Sequence, residues 1–478
     1  MSVQENKNTA RMTTFMMVTV VLLFIVLLLL GFLMRAMQGD LVDLPAGFFY
    51  AMMTLHGLGM VGVLFVGGIM GTWYLISKYV DVSIGLLKFN FVLVVLGVLG
   101  LVVATLIGGF GPGWYMLYPL PFFGEWANWS IGAATISLIL LGVSWLLWLL
   151  DILRAIISRY GVKGFLAWKY LGGANNSDDE VPPIIVIASV SAIAGAVTTV
   201  FGAVLLMLFL IQWIAPDVSF DALLLKNIVF LFGHTIVNIT MYFGLGFVYE
   251  LLPKYTGRPW KMNKIVAISW NAALIFVIVA YFHHLYMDFA QPVILQYIGQ
   301  IASYLSTVPA TVVTIFGAIG LFYKSGVKWT FVPLALGLSL MGWIIGGFIA
   351  VVDSTIVVNS LMHNTLWVTS HFHTYFLLGF VLMLFAFIYD YFEMDKEKAA
   401  KFTLTSLLIG GYGVIAMFAI AGVKSVPRRI ADSSALPYDG LASAAQNTAM
   451  YGSFFGLLLI VGIVVFFAVM LGSLKKKW

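Results

Sequence analysis

The chain is predicted to be an all-α polytopic membrane protein, a twelve-transmembrane-helix bundle. Three observations predict it. The 478 residues are 62% hydrophobic and 9% charged, an apolar content outside the range of ordinary soluble domains. About twelve apolar stretches each reach the roughly 20 residues that cross a hydrocarbon core about 30 Å thick. Lys and Arg cluster in alternate connections, as they do in loops held on the cytoplasmic side.

The spans begin near Thr13, Gly47, Ile84, Ser130, Pro183, Ala222, Lys264, Pro292, Thr330, Ser360, Phe402 and Met450. No small-residue cleavage site follows the first apolar run, so it reads as a span and not as a signal peptide. Lys7 and Arg11 precede it, and Lys78 and Lys88 lie between the second and third spans. Arg154, Arg159, Lys163 and Lys169 follow the fourth, Lys254, Arg258, Lys261 and Lys264 the sixth, and Lys324 and Lys328 the eighth. Lys396, Lys398 and Lys401 follow the tenth, and Lys475, Lys476 and Lys477 close the series. Both termini are therefore expected inside, which requires an even number of spans. Lys226 and a Lys424, Arg428, Arg429 group fall on the outer side against this pattern. The one substantial polar insert, from Arg154 to about Pro182, reads as a cytoplasmic loop. It connects parts of one domain, so residues 1–478 are taken as a single transmembrane domain.

With no cysteine in the chain, a thiolate copper centre, an iron–sulfur cluster and a CxxCH-attached haem are excluded. The seven histidines, His56, His234, His283, His284, His363, His371 and His373, all lie in or against spans. His371 and His373 are two residues apart, so on an α-helix they point about 200° apart and offer one imidazole to each of two sites. The topology places six imidazoles in one outer slab of the membrane, where ionisable groups are costly and usually functional. Neutral imidazole without thiolate or carboxylate suits haem iron and copper, or a second iron, and not magnesium or calcium. A transporter would show repeat symmetry and midplane ionisable residues, and neither is seen.

These residues resemble the catalytic subunit of the haem–copper oxidase superfamily, which includes nitric oxide reductases, across essentially the whole chain. His371-Phe372-His373 is similar to the family's HxH element. The resemblance implies that His371 ligates a high-spin haem, while His373 and His56, in Leu55-His56-Gly57, hold a low-spin haem between them. Phe232-Gly233-His234 and His283-His284 match the three ligands of a second active-site metal. His363, in His363-Asn364-Thr365, matches a residue beside the haem propionates, and Trp114, Tyr118-Pro119 and Val426-Pro427-Arg428-Arg429 match the outer loops that hold them. Propionates are anions that Arg binds bidentately, which accounts for basic residues on the outer side.

Two departures bear on function. His283-His284-Leu285-Tyr286-Met287-Asp288, with Ile236 two residues after His234, looks like the B-type branch. In A- and B-type oxidases a tyrosine one turn after the helix-six ligand is cross-linked to it, and that place is Asn238; the C-type place is Val277. The family takes an electron and a proton from that tyrosine to cleave dioxygen, whereas coupling two nitric oxide molecules needs two electrons and no O–O cleavage. Reduction of NO to N2O by a tyrosine-less, B-type-like nitric oxide reductase, a denitrification step, is therefore the expected function. The alternative is a terminal oxidase reducing O2 to water with another phenol, Tyr281 or Tyr242. No Glu lies in the outer slab of helices six or seven, so copper is expected at the triplet, with non-haem iron as the alternative. Asn238 is expected to ligate weakly or to hydrogen-bond bound NO.

Tyr249 matches a tyrosine of the B-type proton channel, with Glu250 at its cytoplasmic mouth; on helix eight Val313 stands at a channel position, with Thr311 and Thr314 nearby. Electrons are expected through the low-spin haem, from a cytochrome c or cupredoxin on a second membrane-anchored subunit, or from a quinol. The expected location is a prokaryotic cytoplasmic membrane, amid lipid, with no nucleic-acid partner.

Overall fold

The computed structural model describes residues 7–172 and 180–476. Among them, twelve helices are long and apolar enough to cross a membrane: α1 (Lys7–Gln38), α2 (Ala46–Ile76), α3 (Ile84–Ile107), α4 (Asn128–Tyr170), α5 (Pro183–Ile214), α6 (Ala222–Thr256), α7 (Lys264–Leu285), α8 (Ile294–Phe322), α9 (Phe331–Asp353), α10 (Leu366–Tyr391), α11 (Glu397–Val423) and α12 (Asp439–Lys476). The all-helical bundle is as expected, because only helices or closed barrels satisfy backbone polar groups inside lipid.

Burial orders the helices from core to rim. The apolar stretch of α10 is 89% buried, that of α6 72% and that of α2 67%, against 33% for α1, α3 and α12. The three central helices are the ones that carry His56, His234, His371 and His373. Small residues let their neighbours approach closely, the usual packing device between membrane helices. A Cβ at Gly342 on α9 would lie 2.3 Å from the Leu378 carbonyl oxygen of α10, and one at Gly346 would lie 3.0 Å from the Tyr375 Cα. Gly342→Val is therefore expected to destabilise the α9–α10 contact by about 1–3 kcal/mol or more. Thermal unfolding in detergent checks this, and an unchanged midpoint would contradict it.

Three elements differ from expectation. The polar insert is helical as far as Phe165, with Gly161 at φ 67° inside the helix. Trp168 then donates to Asn271 Oδ1 at 2.9 Å and the Val181 amide to the Tyr170 hydroxyl at 3.1 Å. Its basic residues thus line a helix that outlasts the apolar run; residues 173–179, which include most of the acidic part, lie outside the described residues. The tenth span starts at Leu366, not near Ser360, because a short helix, Ile356–Met362, ends at His363 and Asn364 takes φ 61°. The twelfth starts at Asp439, not near Met450, because its Ala- and Ser-rich beginning is helical too.

Candidate metal and cofactor site

A cavity of about 380 Å³ runs between α2, α6, α7 and α10 and is lined by all seven histidines. The second-metal candidates meet there: one ligand atom each from His234, His283 and His284 lies within 4.8 Å of the others. His234 comes from the middle of α6. His283 and His284 lie on a tight 3-10 turn, Ala280–Leu285, that ends α7, and the turn carries both rings toward α6. His234 Nδ1 is 3.3 Å from His284 Nε2.

Outer hydrogen bonds fix which nitrogens are left as ligands. His283 Nδ1 pairs with Ser303 Oγ at 2.8 Å, leaving Nε2 for a metal. On α2, His56 Nδ1 bonds the Leu27 carbonyl at 2.7 Å. On α10, His373 Nδ1 bonds the Thr369 carbonyl at 2.8 Å. A carbonyl can only accept, so each Nδ1 carries the proton and each Nε2 keeps its lone pair, the state an axial ligand needs. His371 Nδ1 is buried with no hydrogen-bond partner at good geometry among the described residues, and the Gly346 backbone lies beside it. Ser303→Ala is expected to weaken metal binding at the triplet roughly 10- to 100-fold, as loss of such an orienting partner does. Metal content after graded chelation measures it, and wild-type retention would contradict the assignment.

The end of the cavity beside the loop after α11 is positive. Thr365 pairs with Pro427 in an isolated bridge, and the Leu366 amide bonds the Val426 carbonyl at 2.9 Å. These links tie the loop bearing Arg428 and Arg429 to the start of α10. Arg428 donates to Asn364 Oδ1 from Nε and Nη2 at 3.2 and 2.9 Å. Burial, and then the charge of Arg429, lower Arg428 to about 10. Burial also lowers Arg429, whose guanidinium sits 5.9 Å over the Tyr115 ring. No carboxylate contributes to either shift, so both arginines suit an anion in the cavity. His363, lowered to about 4 by burial and then by Arg428 and Lys226, is neutral there. The Trp114 ring lies tilted against that of Tyr115, with centroids 3.7 Å apart, and 5.9 Å from that of Phe372, the residue between His371 and His373. The Tyr118 hydroxyl accepts from the Phe220 amide at 3.1 Å.

The donors fit the groups that the resemblance implies: an imidazole on α2 and one on α10 with Nε2 left as the lone-pair nitrogen, a separate imidazole at His371, an anion cradle, and three converging imidazoles. Further orphaned polar atoms line the cavity, Arg35 Nη2 and Asp353 Oδ2 among them.

The candidate phenols and proton groups separate. The Tyr281 hydroxyl donates to Asn227 Oδ1 at 3.3 Å, and Tyr281 does not line the cavity. Tyr242 is buried edge-on to Trp270, with ring centroids 5.3 Å apart, and Tyr375 faces it. The Tyr249 hydroxyl is 2.9 Å from Thr314 Oγ1 and accepts from Trp270 Nε1 at 3.4 Å. Glu250 accepts from the Tyr79 hydroxyl at 2.9 Å, with Lys78 3.9 Å away. Asn238 Nδ2 is 3.4 Å from His234 Nε2.

Sequence reasoning missed Arg35, Asp353, Ser303 and Tyr375. Arg35 and Asp353 had a signal, an ionisable side chain in or at the end of a span. Tyr375 had one also, since it follows His371 by one helical turn. Ser303 had none.

A family model described as Cytochrome C and Quinol oxidase polypeptide I matches residues 11–464. Cytochrome c oxidase subunit 1 of Alkalihalophilus pseudofirmus is 27% identical over 282 residues, 56% of this chain and 44% of that protein. Cytochrome c oxidase polypeptide 1 of Halobacterium salinarum is 25% identical over 265 residues, 53% and 43% of the two. These alignments span less than half the length of either relative. A heme-copper terminal oxidase dimer solved by cryo-EM superposes with TM-score 0.82 over 97% of this chain and 84% of that one, at 17% identity, a likeness of fold.

Proposed function

Because the chain belongs to the cytochrome c and quinol oxidase polypeptide I family, we propose that it is the catalytic subunit of a membrane respiratory reductase, and that it reduces nitric oxide to nitrous oxide. The observation that carries the substrate is Asn238. It stands one turn after His234 with its amide against the imidazole, where the oxidases that the chain resembles carry a cross-linked tyrosine.

His56 and His373 would hold a low-spin haem, His371 a high-spin haem, and the His234, His283, His284 triplet a copper, three neutral imidazoles without a carboxylate being a poor set for non-haem iron. When bound, these groups supply an electron path and two reduced metals at which diatomic molecules are activated. The protein's part is placement. Arg428 and Arg429 would hold the propionates, and Trp114 packs between that cradle and α10. Carbonyls of Leu27 and Thr369 lock two ligand imidazoles in one tautomer.

The reaction, 2 NO + 2 e⁻ + 2 H⁺ → N2O + H2O, also needs protons. Glu250, held by Tyr79 near Lys78, takes them up at the cytoplasmic end of α6. The Tyr249–Thr314 hydroxyl pair lies one residue further along. Electrons come from a partner, a cytochrome c or cupredoxin on a second membrane-anchored subunit or a quinol. The complex sits in a prokaryotic cytoplasmic membrane.

A second reading, O2 reduction to water, is favoured by one specific observation: the Tyr375 hydroxyl lies 3.4 Å from Asn238, which puts a phenol beside the triplet. Anaerobic NO addition to the reduced complex separates the two. One N2O per two NO consumed is expected, and absence of N2O would contradict the proposal.

A further inference from the structure

Of the two imidazoles proposed for the low-spin haem, one is held from its own helix and the other from a neighbour. On α10, His373 Nδ1 donates to the Thr369 carbonyl one turn back, at 2.8 Å. On α2, His56 Nδ1 donates instead to the Leu27 carbonyl of α1, at 2.7 Å. The ring torsion of a histidine is broad and does not set itself. The plane of the His56 ring therefore depends on what α1 places around it.

Leu27 and Gly31 are four residues apart and share a face of α1. A Cβ at Gly31 would lie 2.7 Å from His56 Cε1, 3.1 Å from Nδ1 and 3.4 Å from Nε2, inside the roughly 3.5–4.0 Å of a carbon contact. The imidazole thus lies directly against the α1 backbone, along the side that carries both ring nitrogens. The contact is reciprocal. A Cβ at Gly59 of α2 would lie 2.6 Å from Leu27 Cδ2 and 3.0 Å from Cδ1. Each helix offers a glycine to a large side chain of the other, His56 over Gly31 and Leu27 over Gly59. This interlock of small and large residues fixes the register of the two helices, and with it the place of the Leu27 carbonyl.

We infer that Gly31 is a positioning residue for the low-spin haem: together with the Leu27 carbonyl it clamps the plane of the His56 imidazole, and through that ring α1 sets how readily the haem takes up an electron. A hydrogen bond from Nδ1–H to a carbonyl makes the imidazole a stronger donor to iron and fixes its orientation, and such bonds are among the levers by which a protein tunes a haem. A methyl group at residue 31 drives the ring off that bond or out of its plane. The inference rests on the reading of His56 as an axial ligand and is independent of whether NO or O2 is the substrate.

The test is electron paramagnetic resonance and redox titration of the holoenzyme carrying Gly31→Ala, read at the low-spin haem. Its largest g value is expected to move. Its electron affinity is expected to change by roughly threefold or more, about 28 mV for a one-electron couple at about 59 mV per tenfold. The high-spin signal, the copper content and KM for the substrate should equal wild type, because the three atoms nearest a Cβ at Gly31 all belong to His56. Gly59→Ala, which meets the end of a flexible leucine, should move the same g value to a smaller degree, and it carries the test if Gly31→Ala fails to bind haem. A wild-type low-spin spectrum and potential in the variant that carries the test would overturn the inference. So would equal shifts at both haems, which a general distortion produces. A wild-type enzyme without a bis-imidazole low-spin signal would overturn the ligand reading itself, a failure visible before any substitution at Gly31.

Discussion

His284→Ala is expected to lower NO turnover by at least about a thousandfold, which corresponds to about 4 kcal/mol of lost transition-state stabilisation, while both haem spectra persist. The triplet supplies three ligand atoms within 4.8 Å of one another, and two imidazoles leave a copper under-ligated. Neither His56 nor His373 is anchored through it, since their Nδ1 atoms bond the Leu27 and Thr369 carbonyls, and His371 lies on α10 beside Gly346 of α9. Metal analysis should therefore show loss of one copper per complex with iron content unchanged. Loss of haem together with copper would show that the triplet is not a separate site.

Substitution within the HxH element is expected to split the two haems. His373→Ala and His56→Ala should each abolish the six-coordinate low-spin signal, because each removes one of the two imidazoles proposed to hold that haem. Electrons from any donor should then fail to reach the site, and turnover should fall to background. His371→Ala should keep the low-spin signal and lose the high-spin one. Helix geometry sends the two rings to different sites, since side chains two residues apart face about 200° apart, and the family resemblance implies which ring takes which haem. Low-temperature absorption and magnetic spectra of the three variants check it. Loss of the low-spin signal in His371→Ala would reverse it.

Much of this architecture was legible in the amino-acid sequence for a physical reason. Lipid permits few structures, so apolar runs translate directly into spans, and all twelve are helices. Their ends were less legible. The Arg154 insert and the starts of α10 and α12 were misjudged because helices continue past their apolar stretch, as at Phe165 and Asp439, or break inside it, as at His363. The histidines were legible because imidazoles in the membrane have few structural excuses. What brings them together is less so, since the pairing of Ser303 with His283 or of Tyr375 with Asn238 joins residues on different helices and leaves no periodic trace. Tyr281 illustrates the opposite failure. It precedes His283 by two residues and was expected near the metal, yet two residues along a helix or a 3-10 turn reverse the direction of a side chain. Its hydroxyl accordingly goes to Asn227.

The central claim is the substrate, and it is tested most directly by measuring NO and O2 consumption side by side on the purified complex with one artificial reductant. Rapid NO loss with little O2 uptake is the predicted result. Rapid O2 uptake, abolished by Tyr375→Phe, would contradict it and make the α10 phenol the replacement for the tyrosine absent at Asn238.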